Sequence, residues 1–353
     1  MRKLLFTFLF TAHIVSFAQK ETKEETKPIP KQKSFITSHQ GTFGGKSMKY
    51  SEASFKTGEL DIVQTPKTSL IVLGTAQDAG SPHIACTKDC CRNLLESPNL
   101  SRKVVALGLL DVENEKTYLF EATPNITEQL KILKGNAPFD ASEIPNGIFI
   151  THAHIGHYTG LMYLGKEGAN TKKAKVYAMP RMKTFLETNG PWSQLVIDEN
   201  ISLREIRNKE QINLSPKLKI IPIRVPHRDE YSETIGFKII GPKKVVLFIP
   251  DIDKWSKWET NIIDAVAQVD IALLDATFFN EEEINNRDIA EIPHPFVIET
   301  MELFKDQPKS LKKKIHFIHF NHTNPLLDPA SEQSKEIMVK GFKIARINAI
   351  IEL

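Results

Sequence analysis

Gly147-Ile148-Phe149-Ile150-Thr151-His152-Ala153-His154-Ile155-Gly156-His157 is the stretch from which the rest of the chain can be read. Its first four residues form an apolar run of the kind buried in a strand. The run then hands over to a polar loop, the place where α/β folds carry their chemistry. Residues two apart on extended backbone share a face, so His152 and His154 can converge on one ion. His157 lies beyond them on the turn and can reach a second ion beside the first. Neutral imidazole is the usual ligand of zinc and similar metals. Three histidines in six positions behind a buried strand therefore predict a metal site.

Similar runs recur from Ser69 onward: Leu70–Leu73, Tyr118–Phe120, Ile148–Ile150, Val176–Ala178, Leu218–Ile223, Thr234–Ile240, Val245–Ile249, Ile271–Leu274 and Ile315–Ile318. Each is closed by a turn or a polar cluster. Amphipathic helical patterns fall between several of them, at Glu128–Lys134, Met182–Thr188, Asn261–Gln268 and Phe296–Lys305. Strands and helices interleaved in this way predict a layered α/β domain with helices outside a strand core. Four runs end at a metal-ligating residue type: Ile150 before His152, Ile223 before His227, Ile249 before Asp251 and Ile318 before His319. A polar residue closing a buried strand is aimed at the rim of the sheet, not into the core.

His227 follows Pro226, which restrains the backbone entering that loop. Asp251 and Asp253 both follow a strand, and either carboxylate can ligate. His319 and His322 close the last strong run and point to opposite faces in strand spacing, so one ion need not hold both. Cys86, Cys90 and Cys91 are the three cysteines of the chain. Their close spacing fits thiolates converging on one tetrahedral zinc; a strained disulfide with one free thiol is the other reading. His83 is a reserve fourth ligand there. Asp275 is read as orienting a ligating histidine, and Gly74, Gln77, Asp78 and Gly80 as a loop bordering the site. His294 and His316 are read as structural, and Trp192, Trp255 and Trp258 as packing residues.

The residues His152, His154 and His157 resemble the His-x-His-x-Asp-His signature of the metallo-β-lactamase superfamily, with Gly156 where the family has Asp. Within it, Leu73-Gly74-Thr75-Ala76-Gln77-Asp78-Ala79-Gly80 with the cysteines after it, Pro226-His227-Arg228-Asp229-Glu230, Pro250-Asp251-Ile252-Asp253 and His319-Phe320-Asn321-His322-Thr323-Asn324-Pro325 resemble the branch containing coenzyme PQQ biosynthesis protein B. The resemblance implies a four-layer αββα sandwich over residues 68–353. It also implies one ion on His152, His154 and His227, and a second on His157, His319 and a shared Asp251, one ligand short without an Asp at 156. The cyclic phosphodiesterase of the phosphonate pathway is similar around the late histidines. That similarity implies His319 at the active centre and His322 completing a structural zinc with Cys86, Cys90 and Cys91; the reverse assignment is the alternative.

A metal with an open position lowers the pKa of a bound water toward 7 and polarises the bond under attack. The expected activity is therefore hydrolysis of an ester, amide or phosphodiester in a small molecule or small peptide, with one or two Zn2+ ions at the centre. Fe2+ or Mn2+ also suits such donors, and the resembling branch is associated with oxidative steps on a tyrosine-derived precursor. Oxidation in a PQQ-like pathway is thus the alternative chemistry. A third reading, motivated by Gly156, is a metal- or ligand-binding protein without turnover.

Residues 1–18 read as a cleavable secretory signal, with Arg2 and Lys3 before an apolar core and Ser16-Phe17-Ala18 as the cleavage site. The core is too short for a membrane span, so a periplasmic or secreted protein is expected, cut after Ala18. Residues 19–67, rich in Lys, Glu, Thr, Gln and Ser, read as a flexible leader. Lys and Arg number 46 against 43 Asp and Glu, and loss of Arg2 and Lys3 brings the charges closer still to balance. That balance argues against nucleic acid as a partner.

Overall fold

The apolar runs assemble into two sheets of seven strands each. The computed structural model describes residues 68–284 and 287–353, all inside the unit 62–353. The secretory signal expected at 1–18 and the leader at 19–67 lie outside the described residues. The first sheet takes β1 (Thr68–Gly74), β2 (Ala106–Asp111), β3 (Lys116–Phe120), β4 (Gly147–Phe149), β5 (Ala174–Ala178) and β6 (Ile201–Glu205). These lie side by side in sequence order, with the last strand, β14 (Ile350–Glu352), beside β1. The second sheet places β7 (Ile212–Ser215), β8 (Leu218–Arg224), β9 (Ile235–Ile240), β10 (Val245–Ile249), β11 (Ile271–Asp275), β12 (Ile315–Ile318) and β13 (Lys343–Ile344) in order.

Both sheets begin antiparallel and end parallel. Pairing is antiparallel through β1, β2 and β3, then parallel through β4, β5 and β6. The second sheet is antiparallel from β7 to β10 and parallel from β10 to β13. Parallel neighbours need a crossover, and helices supply it. After the short α1 (Asp89–Arg92) come α2 (Ile126–Gly135) between β3 and β4, then α3 (Ile155–Tyr158), α4 (Pro180–Thr188) and α5 (Trp192–Ile197). The second half adds α6 (Ile262–Ala267), α7 (Val297–Leu303), α8 (Lys309–Lys312) and α9 (Glu332–Val339).

Side-chain spacing decides which face each helix buries. In α2, Ile126, Gln129 and Leu133 are buried, the i, i+3, i+7 stripe of an amphipathic helix. Met182 and Leu186 do the same for α4, which starts with Pro180 at a position where no backbone donor is lost. In α6 the Asn261 side chain caps the amides of Ile263 and Asp264 while Ile262 and Val266 turn inward.

Three large apolar clusters and one small one, around Phe296, result among the described residues. One, containing Phe120, Phe149, Phe237, Phe248 and Ile318, is drawn from both sheets and fills the space between them. Another joins the outer face of the first sheet to α2, α4 and α5. A third joins the outer face of the second sheet to α6, α7 and α9. Helix, sheet, sheet, helix is the αββα order that the resemblance implied. Each large side chain fully buried here stabilises the domain by about 1.5–3 kcal/mol before entropy is counted.

Every apolar run singled out in the sequence coincides with a strand to within two residues at either end. Not singled out were β2, β6, β7, β13 and β14. Trp192, Trp255 and Trp258 are core residues, as expected. Trp255 Nε1 donates to Thr300 Oγ1 at 2.9 Å, and Trp258 Nε1 to the Arg224 carbonyl at 3.0 Å. No helix among the described residues is long and apolar enough to cross a membrane.

Candidate metal centre

The parallel strands bring their C-terminal ends to one edge of the sandwich, where open α/β sheets hold ligands. From β4 the chain runs through His152 and His154 into α3, which carries His157. Strand β8 leads through Pro226 to His227, β10 to Asp251, and β12 to His319. Asp251 sits in the middle. Its Oδ2 lies 3.2 Å from His152 Nε2, 3.7 Å from His154 Nδ1 and 3.7 Å from His157 Nε2. Its Oδ1 lies 3.1 Å from His227 Nε2. Bonds of about 2.1 Å at tetrahedral angles set donor atoms roughly 3.4 Å apart, and these separations bracket that value.

The orphaned atoms point the same way. His152 Nε2, both ring nitrogens of His157 and His227, His319 Nε2 and Asp251 Oδ1 are buried without a hydrogen-bond partner of acceptable geometry. The short contacts to Asp251 are therefore off-line for hydrogen bonds. Unpartnered polar atoms cost roughly 1–3 kcal/mol each, so a cluster of them facing one carboxylate fits a cation. One donor from each of His152, His154, His227 and Asp251 lies within 4.8 Å of the others, and so does one from each of Asp78, His157 and His319.

Behind the donors stands a layer of supports. Glu121 Oε1 lies 3.5 Å from His157 Nδ1, and both side chains are 0% exposed. Thr151 Oγ1 is 2.9 Å from His152 Nδ1. Thr277 Oγ1 is 2.9 Å from His319 Nδ1 and donates to Asp275 Oδ1 at 2.7 Å. Asp275 thus takes the orienting place read from the sequence. Glu121 (φ 73°) and His319 (φ 67°) both hold the left-handed backbone conformation. It is strained for residues with a Cβ and tends to be kept at functional sites. Burial alone would raise the Asp251 carboxyl, yet the imidazoles of His227, His294 and His152 hold it well below the usual carboxylate range. Burial disfavours a charged His157, but Glu121 outweighs it and lifts that imidazole to about 9. An ion there competes with a proton.

Loss of such a support typically weakens metal binding 10–100-fold. Glu121→Gln is expected to fall in that range, measured by competition with a chelator, while the secondary structure is unchanged by circular dichroism.

One placement differs from the sequence reading and two go beyond it. His294, read as structural, lies inside the centre, its Nδ1 3.1 Å from Asp251 Oδ1 and 3.0 Å from Asp275 Oδ2. Glu121 was not singled out, although it directly closes the apolar run ending at Phe120. Asp78, read as bordering the site, reaches His157 and His319. Asp253, the alternative to Asp251, turns away and pairs with Lys257 Nζ at 2.8 Å. His316 stays outside the centre; burial and Lys343 lower its pKa to about 4.

The cysteines form a second cluster. Cys86 Sγ and Cys91 Sγ each lie 3.9 Å from Cys90 Sγ. His322 Nδ1 is 3.5 Å from Cys90 Sγ and 3.5 Å from Cys91 Sγ. All three cysteines are free of disulfides. Zinc–sulfur bonds of about 2.3 Å place thiolates roughly 3.8 Å apart, close to what is seen. Burial, then the neighbouring thiols, pushes Cys90 up to about 12, a repulsion that a bound cation relieves. His83 does not join them: its Nδ1 lies 2.7 Å from the Ile84 carbonyl and its ring packs on His322 at 4.5 Å. The structure therefore sends His319 and His322 to different clusters.

Two layered sheets with convergent histidines and a central aspartate at one edge define a metallo-β-lactamase type of domain. The family of β-lactamase superfamily domains matches residues 116–320, and the chain belongs to it. Among curated proteins it is similar to coenzyme PQQ synthesis protein B of Methylococcus capsulatus, 23% identical over 302 residues, covering 78% of this chain and 96% of that one. The corresponding Nitrosococcus oceani protein is 25% identical over 311 residues, with the same coverages. Among solved structures, zinc-bound PqqB from Methylobacterium extorquens superposes with a TM-score of 0.65 at 20% identity, covering 81% of this chain and 100% of that one. A diphosphatase of the PhnP family does so with a TM-score of 0.58 at 20% identity, covering 81% and 97%. Beyond the superfamily, the chain is thus similar to proteins of the PqqB-like branch.

Proposed function

We propose that the protein is an exported metal-dependent hydrolase acting on an ester, amide or phosphodiester of a small molecule or small peptide. The observation that carries this is the set of buried, unpartnered imidazole nitrogens gathered around Asp251 at the rim of the sandwich. In this reading His152, His154, His227 and Asp251 hold one ion, and His157 and His319 with the shared Asp251 hold a second. Cys86, Cys90, Cys91 and His322 hold a closed structural zinc. A metal at such a centre activates water near neutral pH and polarises the bond under attack. Glu121, Thr151 and Thr277 fix ring orientation, and the His294 ring, 12% exposed, reaches the solvent side. Export rests on residues 1–18, and N-terminal sequencing of secreted protein is expected to begin at Gln19.

The likeness to PQQ synthesis proteins favours a second reading, an iron-dependent oxidation in a PQQ-like pathway, because histidine and carboxylate donors also suit Fe(II). The test loads purified protein with zinc, manganese or iron(II) and offers bis-p-nitrophenyl phosphate, p-nitrophenyl acetate and a chromogenic β-lactam. Turnover abolished by His152→Ala is the expected result. Oxygen consumption only with iron supports the second reading. Full metal occupancy without turnover on any substrate marks a binding protein.

A further inference from the structure

We propose that Asp78 supplies the carboxylate ligand that position 156 lacks, so that the second ion of the centre is held by Asp78, His157, His319 and the shared Asp251. This rests on the metal-centre reading above and completes its ligand set. The donors are in place: one atom from each of Asp78, His157 and His319 lies within 4.8 Å of the others. His157 and His319 are both fully buried, and the Nε2 of each has no hydrogen-bond partner. His157 Nε2 is 3.7 Å from Asp251 Oδ2, which ties this group to the first.

Gly156 supplies the independent observation. A Cβ built there would lie 2.3 Å from Asp78 Cβ, 2.5 Å from the Asp78 carbonyl oxygen and 2.6 Å from Asp78 Cα. The 76–80 loop fills the space that any side chain at 156 would need. Glycine at 156 is thus the residue that admits the Asp78 loop, and the carboxylate enters from a different strand. That loop is not free to wander. Gln77 N donates to the Phe320 carbonyl at 2.7 Å, and Phe320 N to the Thr75 carbonyl at 2.8 Å. Asp78 is therefore held in register with His319, one residue before Phe320. The turn closes through Gly80 N and the Gln77 carbonyl at 2.9 Å, with Gly80 at φ 79°.

The experiment counts metal in the full-length mature protein by elemental analysis and titrates zinc affinity calorimetrically, for the wild type, Asp78→Asn and Gly156→Ala. Wild type is expected to hold two ions at the histidines besides the cysteine-bound one. Asp78→Asn, nearly isosteric, is expected to keep the cysteine zinc and the first ion and to bind the second at least 10–100-fold more weakly. Gly156→Ala, by pushing the loop away, is expected to show the same selective loss. An Asp78→Asn protein that holds the second ion as tightly as wild type overturns the proposal, and so does a wild type with a single ion at the centre. Both of those results leave the hydrolase reading standing, with two ions at the centre in the first case and one in the second. Two ions at the centre, the second dependent on Asp78, without turnover on any substrate would sink the hydrolase reading and leave the ligand assignment intact.

Discussion

His322→Ala is expected to release one zinc per chain and to lower the melting temperature by roughly 10 °C or more. The imidazole closes a cluster of three thiols at 3.5 Å from two of them. A closed site of this kind contributes folding free energy directly, since the unfolded chain has no preformed site. Losing a structural metal belongs among the rare single changes that cost more than about 4 kcal/mol. In a domain of this size each kcal/mol moves the midpoint by about 2–4 °C. Cys90→Ser is expected to match it. Calorimetry with metal analysis checks the prediction. His319→Ala, by contrast, is expected to leave the cysteine zinc in place, and a stability loss confined to that variant would show the two histidines exchanged.

Asp251→Ala is expected to produce the largest functional effect of any single substitution. Its carboxylate is 3% exposed and lies within 3.7 Å of a nitrogen of His152, His154, His157, His227 and His294. Removing it leaves five imidazoles around an uncompensated hole. Metal at the centre should fall toward zero while the cysteine zinc remains. Turnover of any substrate found in the panel should fall by at least about 10³-fold, the upper end of what one preorganised electrostatic group contributes. Retained activity with full metal content would remove Asp251 from the centre.

How much of this was legible in the sequence depended on distance along the chain. The strands showed themselves because burial on a sheet face leaves a local apolar signature. The candidate donors His152, His227, Asp251 and His319 could be read because each follows such a run. The same signal marks Glu121, which follows Phe120 directly. His294 could not be found that way, since it lies between two prolines in the long connection from β11 to β12, with no strand leading into it. Asp78 is separated from His157 and His319 by intervening strands and helices, and only packing of the two sheets brings them together. Gly156 was visible as a departure. The sequence alone suggested a lost ligand, whereas the fold shows a space filled by another part of the chain.

The segment from His319 to His322 serves both clusters within a single turn, with Phe320 hydrogen-bonded in both directions to the loop that carries Asp78 and runs on to the cysteines. Both clusters hold this one segment, so any order that loading one imposes on it need not be imposed again by the other. By linkage, whatever factor the thiolate zinc adds to affinity at the histidines, ions at the histidines must return to the thiolate zinc. The two sites should therefore fill cooperatively, and a chelator that strips one should weaken the hold of the other.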